Sequence, residues 1–153
     1  MPLPNFPTGV EDEKGIFFSS ENADFELSNE QSVAVWLQKI IEQEGQTLHL
    51  LNFIFCSDDY LHRLNVQFLD HDTLTDVITF PYQPPPNLEG EIFISIDRVR
   101  ENAAAFNATF EQELCRVMVH GVLHLCGYGD KTAAEEKRMR EKEDEALSYI
   151  DWE

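Results

Sequence analysis

The sequence has little of what would take it out of a reducing compartment or into a membrane. Cysteine occurs three times, at Cys56, Cys115 and Cys126. The count is odd and each lies in an apolar stretch, where a thiol behaves as a small hydrophobe, so a disulfide framework is excluded. Hydrophobic residues make up 42% of the chain but fall in separate blocks, none approaching the roughly 20 residues that span a bilayer. No membrane partner is expected. Residues Met1 to Glu13 are Pro-rich and acidic rather than basic and then apolar, unlike a secretory leader; they are expected to be flexible, and the location cytoplasmic. Basic residues are scarce, 11 Lys and Arg against 29 Asp and Glu, for a formal charge of -18. Such a surface repels polyanions as a whole, because non-specific nucleic-acid binding comes from Lys and Arg neutralising phosphates. Any RNA role must rest on a local site. Repeats, low-complexity tracts and interdomain linkers are also absent, so the 153 residues predict a single domain, 1–153, able to bury its own core.

Hydrophobic periodicity then outlines an α+β domain, a small mixed β-sheet packed by helices. Gly15 to Ser19 is a short β-type run, and Ser28 with Gln31 forms a capping box for a helix whose apolar stripe, Val33, Trp36, Leu37, Ile40 and Ile41, ends at Gly45. Thr47 to Cys56 predicts a buried strand, and Ser57-Asp58-Asp59 caps a helix to about Phe68. Asp76 to Phe80 and Glu91 to Ile96 predict strands in a hairpin-like pair around the exposed loop Gln83 to Asn87, whose prolines remove ladder donors. Asp97 is expected to cap a helix to about Ala105; Thr109 with Gln112, and Thr132 with Glu135, are capping boxes for helices to Cys126 and about Tyr149.

The chemistry lies in the helix before Cys126. From Leu114 onward it is apolar on nearly every side, as a buried helix is, except at His120 and His124. Four residues apart, these stand one above the other on one face and can aim two ring nitrogens at one ion. Gly127 permits a positive φ that stops the helix and turns the chain back, which brings Asp130 towards the histidines. The spacing H-x-x-x-H-x-x-G-x-x-D matches the metzincin frame at both helical ligands, the glycine and the third ligand position, with Asp for His. His120, His124 and Asp130 are therefore the candidate ligands of one divalent ion, zinc by donor type. A lone histidine on such a helix is usually a core residue; the pair, the glycine stop and the carboxylate together reverse that balance. Cys126 is a rival ligand by chemistry but points about 200° away from His124 around the helix. Glu135 and Glu136 could also reach in, although Glu135 already serves a cap. Gly121 stands where the frame carries the Glu that activates water for peptide cleavage, which disfavours a peptidase.

The stretch His120-Gly121-Val122-Leu123-His124-Leu125-Cys126-Gly127-Tyr128 resembles the H-G-x-L-H-L-x-G-Y motif of the YbeY family of ribosomal RNA maturation endoribonucleases. Leu64-Asn65, Thr75-Asp76-Val77-Ile78-Thr79-Phe80-Pro81 and Gly90-Glu91-Ile92 are similar to further family segments, and the likeness runs from about Phe53 to Leu147. The resemblance implies a mixed α/β fold, a metal held by two histidines and a third ligand, and single-strand-specific RNA cleavage in ribosomal RNA maturation and ribosome quality control. Ribosomal RNA and ribosomal or assembly proteins are the implied partners, and no nucleotide cofactor is implied. The family commonly has a His after an Asp as third ligand, whereas here Gly129 precedes Asp130; Leu69 stands where many members carry an Arg suited to phosphate. A carboxylate ligand makes the site less cationic than three imidazoles would. No general base is identified; Thr75 and Asp76 are candidates for lining the site, Asp76 being as readily a turn residue, and Arg63, Arg98, Arg100 and Arg116 are candidate local positive charge. The basic residues around Arg140 alternate with Glu and predict a solvated helix. Two other readings remain at this stage: a non-catalytic ribosome assembly factor with a structural metal, and a two-His-one-carboxylate iron oxygenase.

Overall fold

Ten residues of high β propensity, Thr47–Cys56, form the central strand β2 in the computed structural model, which describes residues 15–69 and 75–152. The expected flexibility of 1–13 and the Leu69 side chain lie outside the described residues. Strand β1, Gly15–Glu21, pairs parallel with β2, and helix α1, Glu30–Gln43, links them. After β2 come α2, Asp58–Leu69, then β3, Val77–Pro81, and β4, Asn87–Ser95. β4 lies parallel to β2 and antiparallel to β3, giving a four-stranded mixed sheet in the order β1-β2-β4-β3. The chain closes with α3, Ile96–Ala105, α4, Phe110–Leu125, and α5, Ala133–Leu147.

Period-two alternation divides the sheet's side chains between two cores. Phe53, Phe55, Ile92 and Ile94 face a cluster completed by α1 and α4; Ile54, Phe80 and Phe93 pack with Leu61 and Leu64 of α2 on the other side. α4 lies close enough to the sheet that a Cβ at Gly121 would meet Ile92 Cγ2 at 2.9 Å. This explains glycine in mid-helix: the backbone of that turn rests on β4. α5 buries Met139, Glu143 and Ala146, and Trp36 Nε1 of α1 donates to the Ala146 carbonyl at 2.8 Å.

The capping boxes at Thr109 and Thr132 form as the sequence predicts. Two other helix starts differ. α1 begins after Asn29, with no side-chain cap, so the Ser28 capping box does not form; its first turn carries Glu30, whose charge suits the helix N-terminus. α3 is capped by Ser95, whose Oγ accepts from Arg98 N, while the Asp97 carboxylate instead accepts from Asp58 N at the start of α2. A residue that faces a second helix start can satisfy it in place of its own.

Candidate metal centre

The C-terminus of α4 builds the site from local rules. Gly127 has φ +109°, its N–H donates to the His124 carbonyl, and Tyr128 N donates to the Leu123 carbonyl. This Schellman closure reverses the chain directly after the second histidine and carries Asp130 back to it. His124 Nε2 lies 3.0 Å from His120 Nε2 and 3.2 Å from Asp130 Oδ2, and His120 Nε2 lies 3.5 Å from that same oxygen.

Partners on the far side of each ring fix which nitrogen faces inward. His120 Nδ1 lies 2.6 Å from Glu143 Oε2, and His124 Nδ1 lies 2.9 Å from the Tyr128 carbonyl oxygen. Both partners are acceptors, so each Nδ1 carries the hydrogen and each Nε2 presents a lone pair. Three acceptors thus converge without a donor among them, an arrangement that a cation relieves. Ligand atoms about 2.05 Å from a tetrahedral zinc stand about 3.4 Å apart, close to the separations found. His120, His124 and Asp130 fit one divalent ion, and no other such group of three or more ligands occurs among the described residues. The Asp130 side chain is 40% exposed, which leaves the ion an open side.

Charge behind the site is layered. Glu143, 5% exposed, also accepts from Arg116 Nη1 at 2.8 Å, and Arg116 Nη2 reaches Asp144 at 2.8 Å. Burial pushes the Glu143 carboxyl up, but the hydrogen bonds from His120 and Arg116 outweigh it and hold the group below the usual carboxylate range. Burial opposes protonation of His120, and the adjoining Glu143 carboxylate outweighs that to raise it.

A cavity of about 470 Å³ opens beside His120, lined among others by Asp76, Asn102, Glu113, Arg116 and Arg140. Asp76 therefore borders the site, its carboxylate accepting from Asn102 Nδ2 at 3.2 Å and its acidity weakened chiefly by burial. Thr75 turns its hydroxyl to the Val77 carbonyl and does not line that cavity. Of the candidate arginines only Arg116 reaches the site; Arg63 pairs with Asp59, Arg98 with Asp58, and Arg100 lies over the Phe110 ring. Arg140 is exposed, as a solvated face predicts, and also borders the cavity. Cys126 packs against the core and burial pushes its thiol up to about 12, and Glu135 accepts from the Lys131 and Thr132 amides. Neither belongs to the triad. A second cavity of about 400 Å³ lies on the His124 side, between Pro81–Pro85 and Gly127. Glu143 and the Tyr128 carbonyl escaped the sequence reading, because only tertiary packing shows what stands behind a histidine ring.

The family profile described as Endoribonuclease YbeY matches residues 17–151. The chain belongs to the YbeY family. Two relatives named Endoribonuclease YbeY are similar to it: one from Flavobacterium psychrophilum is 53% identical over 127 residues, covering 83% of this chain and 91% of the relative. The other, from Christiangramia forsetii, is 49% identical over 139 residues, covering 90% and 96%. Among solved structures, the solution structure of a Thermotoga maritima protein shares 34% identity with a TM-score of 0.62, covering 88% of each chain. The YbeY motif residues His120, Gly121, His124, Gly127 and Tyr128 thus each have a place in one local structure: two candidate ligands, a close approach to the sheet, a helix stop and a carbonyl that orients one of the histidine rings.

Proposed function

We propose that this chain is a metal-dependent, single-strand-specific endoribonuclease of ribosomal RNA maturation and ribosome quality control. It would act in the cytoplasm with ribosomal or assembly proteins as partners. The observation that carries the reading is the convergence of three metal-donor atoms, His120 Nε2, His124 Nε2 and Asp130 Oδ2, in a member of this family. His120, His124 and Asp130 hold the ion, zinc by ligand type, which supplies Lewis acidity at a phosphodiester. Glu143 and the Tyr128 carbonyl keep both Nε2 lone pairs aimed inward. Asp76 borders the cavity beside His120, where burial raises its carboxyl above the ordinary carboxylate value. Gly121 leaves no carboxylate where a peptidase carries one.

A structural ion normally has four protein ligands. Among the described residues the group offers three, and Glu143 is bound behind His120 rather than facing the centre. Catalysis therefore accounts for the open side better than a purely architectural metal does. The test is cleavage of single-stranded ribosomal RNA fragments by the parent protein and His124→Ala, with and without a chelator, alongside elemental analysis of anaerobically purified protein. Cleavage by the parent alone, lost to the chelator and restored by zinc, is expected. Equal rates in both proteins, or indifference to the chelator, would overturn the proposal; bound iron would point to redox chemistry instead.

A further inference from the structure

Tyr128 orients His124 through its carbonyl, which accepts from Nδ1 at 2.9 Å, while its phenol reaches across to another helix. The turn that carries it reads Gly127-Tyr128-Gly129. Glycine on both sides leaves the Tyr128 peptide freer to rotate than bulkier neighbours would. A carbonyl so placed needs an anchor if it is to hold an imidazole in one orientation. The phenol supplies one: its hydroxyl donates to Glu44 Oε1 at 2.6 Å, 84 residues away at the C-terminal end of α1. Lys142 Nζ of α5 closes the cluster, 2.7 Å from Glu44 Oε2 and 5.8 Å from the centre of the Tyr128 ring. The Lys142 and Glu44 side chains are 17% and 13% exposed, so solvent screens this pair less than one on the open surface. Burial pushes the Glu44 carboxyl up, but the hydrogen bonds from Lys142 and Tyr128 outweigh it and hold the group below the ordinary carboxylate value. Glu44 is thus an anion that accepts from the phenol and the ammonium together.

We propose that Glu44 and Lys142 are positioning residues for the metal: by holding the Tyr128 phenol they fix the carbonyl that keeps His124 Nε2 turned towards the ion. The inference rests on the metal reading above, but not on RNA cleavage. It gives α5 a hold on both histidines. Glu143 takes His120 directly at 2.6 Å, and its chain neighbour Lys142 takes His124 through Glu44 and Tyr128. Asp130 lies two residues beyond Tyr128, so the same anchor sets where the turn delivers the third ligand. Groups that orient a metal-bound imidazole are worth about 10- to 100-fold in affinity, and a cluster acting through one intervening residue belongs at the low end of that range.

The test compares the full chain with Tyr128→Phe, Glu44→Gln and the double variant. Zinc affinity is read by competition with a metal indicator, and the histidine tautomers of the metal-free proteins by nitrogen NMR of isotope-labelled side chains at mildly alkaline pH. Tyr128→Phe removes one hydroxyl and should lower zinc affinity about tenfold, with the His124 ring passing from the Nδ1–H tautomer to a mixture. Glu44→Gln should move both readouts in the same direction. The double variant should bind zinc no more weakly than Tyr128→Phe, because both changes act through one hydroxyl. Urea unfolding of the metal-free proteins separates this from a purely architectural cluster, whose loss would lower stability and leave zinc affinity and tautomer as they were. Unchanged affinity or an unchanged His124 tautomer in Tyr128→Phe overturns the inference, as does a double variant much weaker than either single one. A parent protein that binds no zinc overturns it together with the metal reading, whereas zinc bound equally by parent and variants overturns it alone.

Discussion

Glu143 and Glu91 are both buried carboxylates, and they act in opposite directions. Glu143 has a charged guanidinium and an imidazole N–H on its oxygens, so it stabilises as an anion and orients His120. Glu143→Gln should lower zinc affinity about 10- to 100-fold, the usual cost of losing such a supporting partner, read by competition with a metal indicator. Glu91 is 1% exposed and receives a hydrogen bond from the Tyr82 hydroxyl; burial nonetheless raises its carboxyl above the ordinary value of 4.5. The folded form therefore holds its proton more tightly than the unfolded chain. The resulting penalty is absent well below pH 4.5, grows as pH rises through the raised folded value, and is complete above it. Glu91→Gln should thus stabilise the protein at pH 7 to 8, with the gain vanishing towards pH 4 in urea titrations at each pH.

At the scale of elements, α4 does two jobs, one against the sheet and one at the candidate metal site. Gly121 joins them, because a methyl there meets Ile92. Gly121→Ala should lower stability by about 1–3 kcal/mol through overpacking, despite alanine's better helix propensity. Adding Ile92→Ala should cost less than the sum of the two single changes, a non-additivity measurable by a double-mutant cycle. The convergence of the candidate ligands was legible in the sequence because it depends on local spacing: a four-residue step, a glycine with positive φ and three further residues bring His120, His124 and Asp130 together without knowledge of the rest. The strand Thr47–Cys56 was legible for the same reason. Asp97 was not, because it serves the start of α2 rather than its own helix, and neither was Ser28: α1 starts after Asn29 without a side-chain cap. Glu143 belongs with these: along α5 it looks like one of several solvated acids, and only contact with α4 assigns it.

Taken whole, the molecule is an acidic body, -18 in formal charge, with a candidate metal centre between two cavities. Its net field opposes the approach of RNA, and salt screens fields over about 10 Å at 0.1 M. Association with a short single-stranded RNA should therefore weaken far less between 20 and 150 mM salt than for basic nucleic-acid binders, and its on-rate should rise over the lower part of that range; stopped-flow anisotropy reads both. The docking of α5 has a further consequence. That helix buries only Met139, Glu143 and Ala146 among its side chains, and Glu143 grips the back of the His120 ring. Whatever free energy the ion adds by fixing His120 is shared with the last helix, so metal occupancy and C-terminal order are thermodynamically linked. A protein starved of its ion should open first at α5, exposing that segment to proteases and to faster amide exchange, so that a cell could clear unmetallated copies by their loosened tails before they ever met RNA.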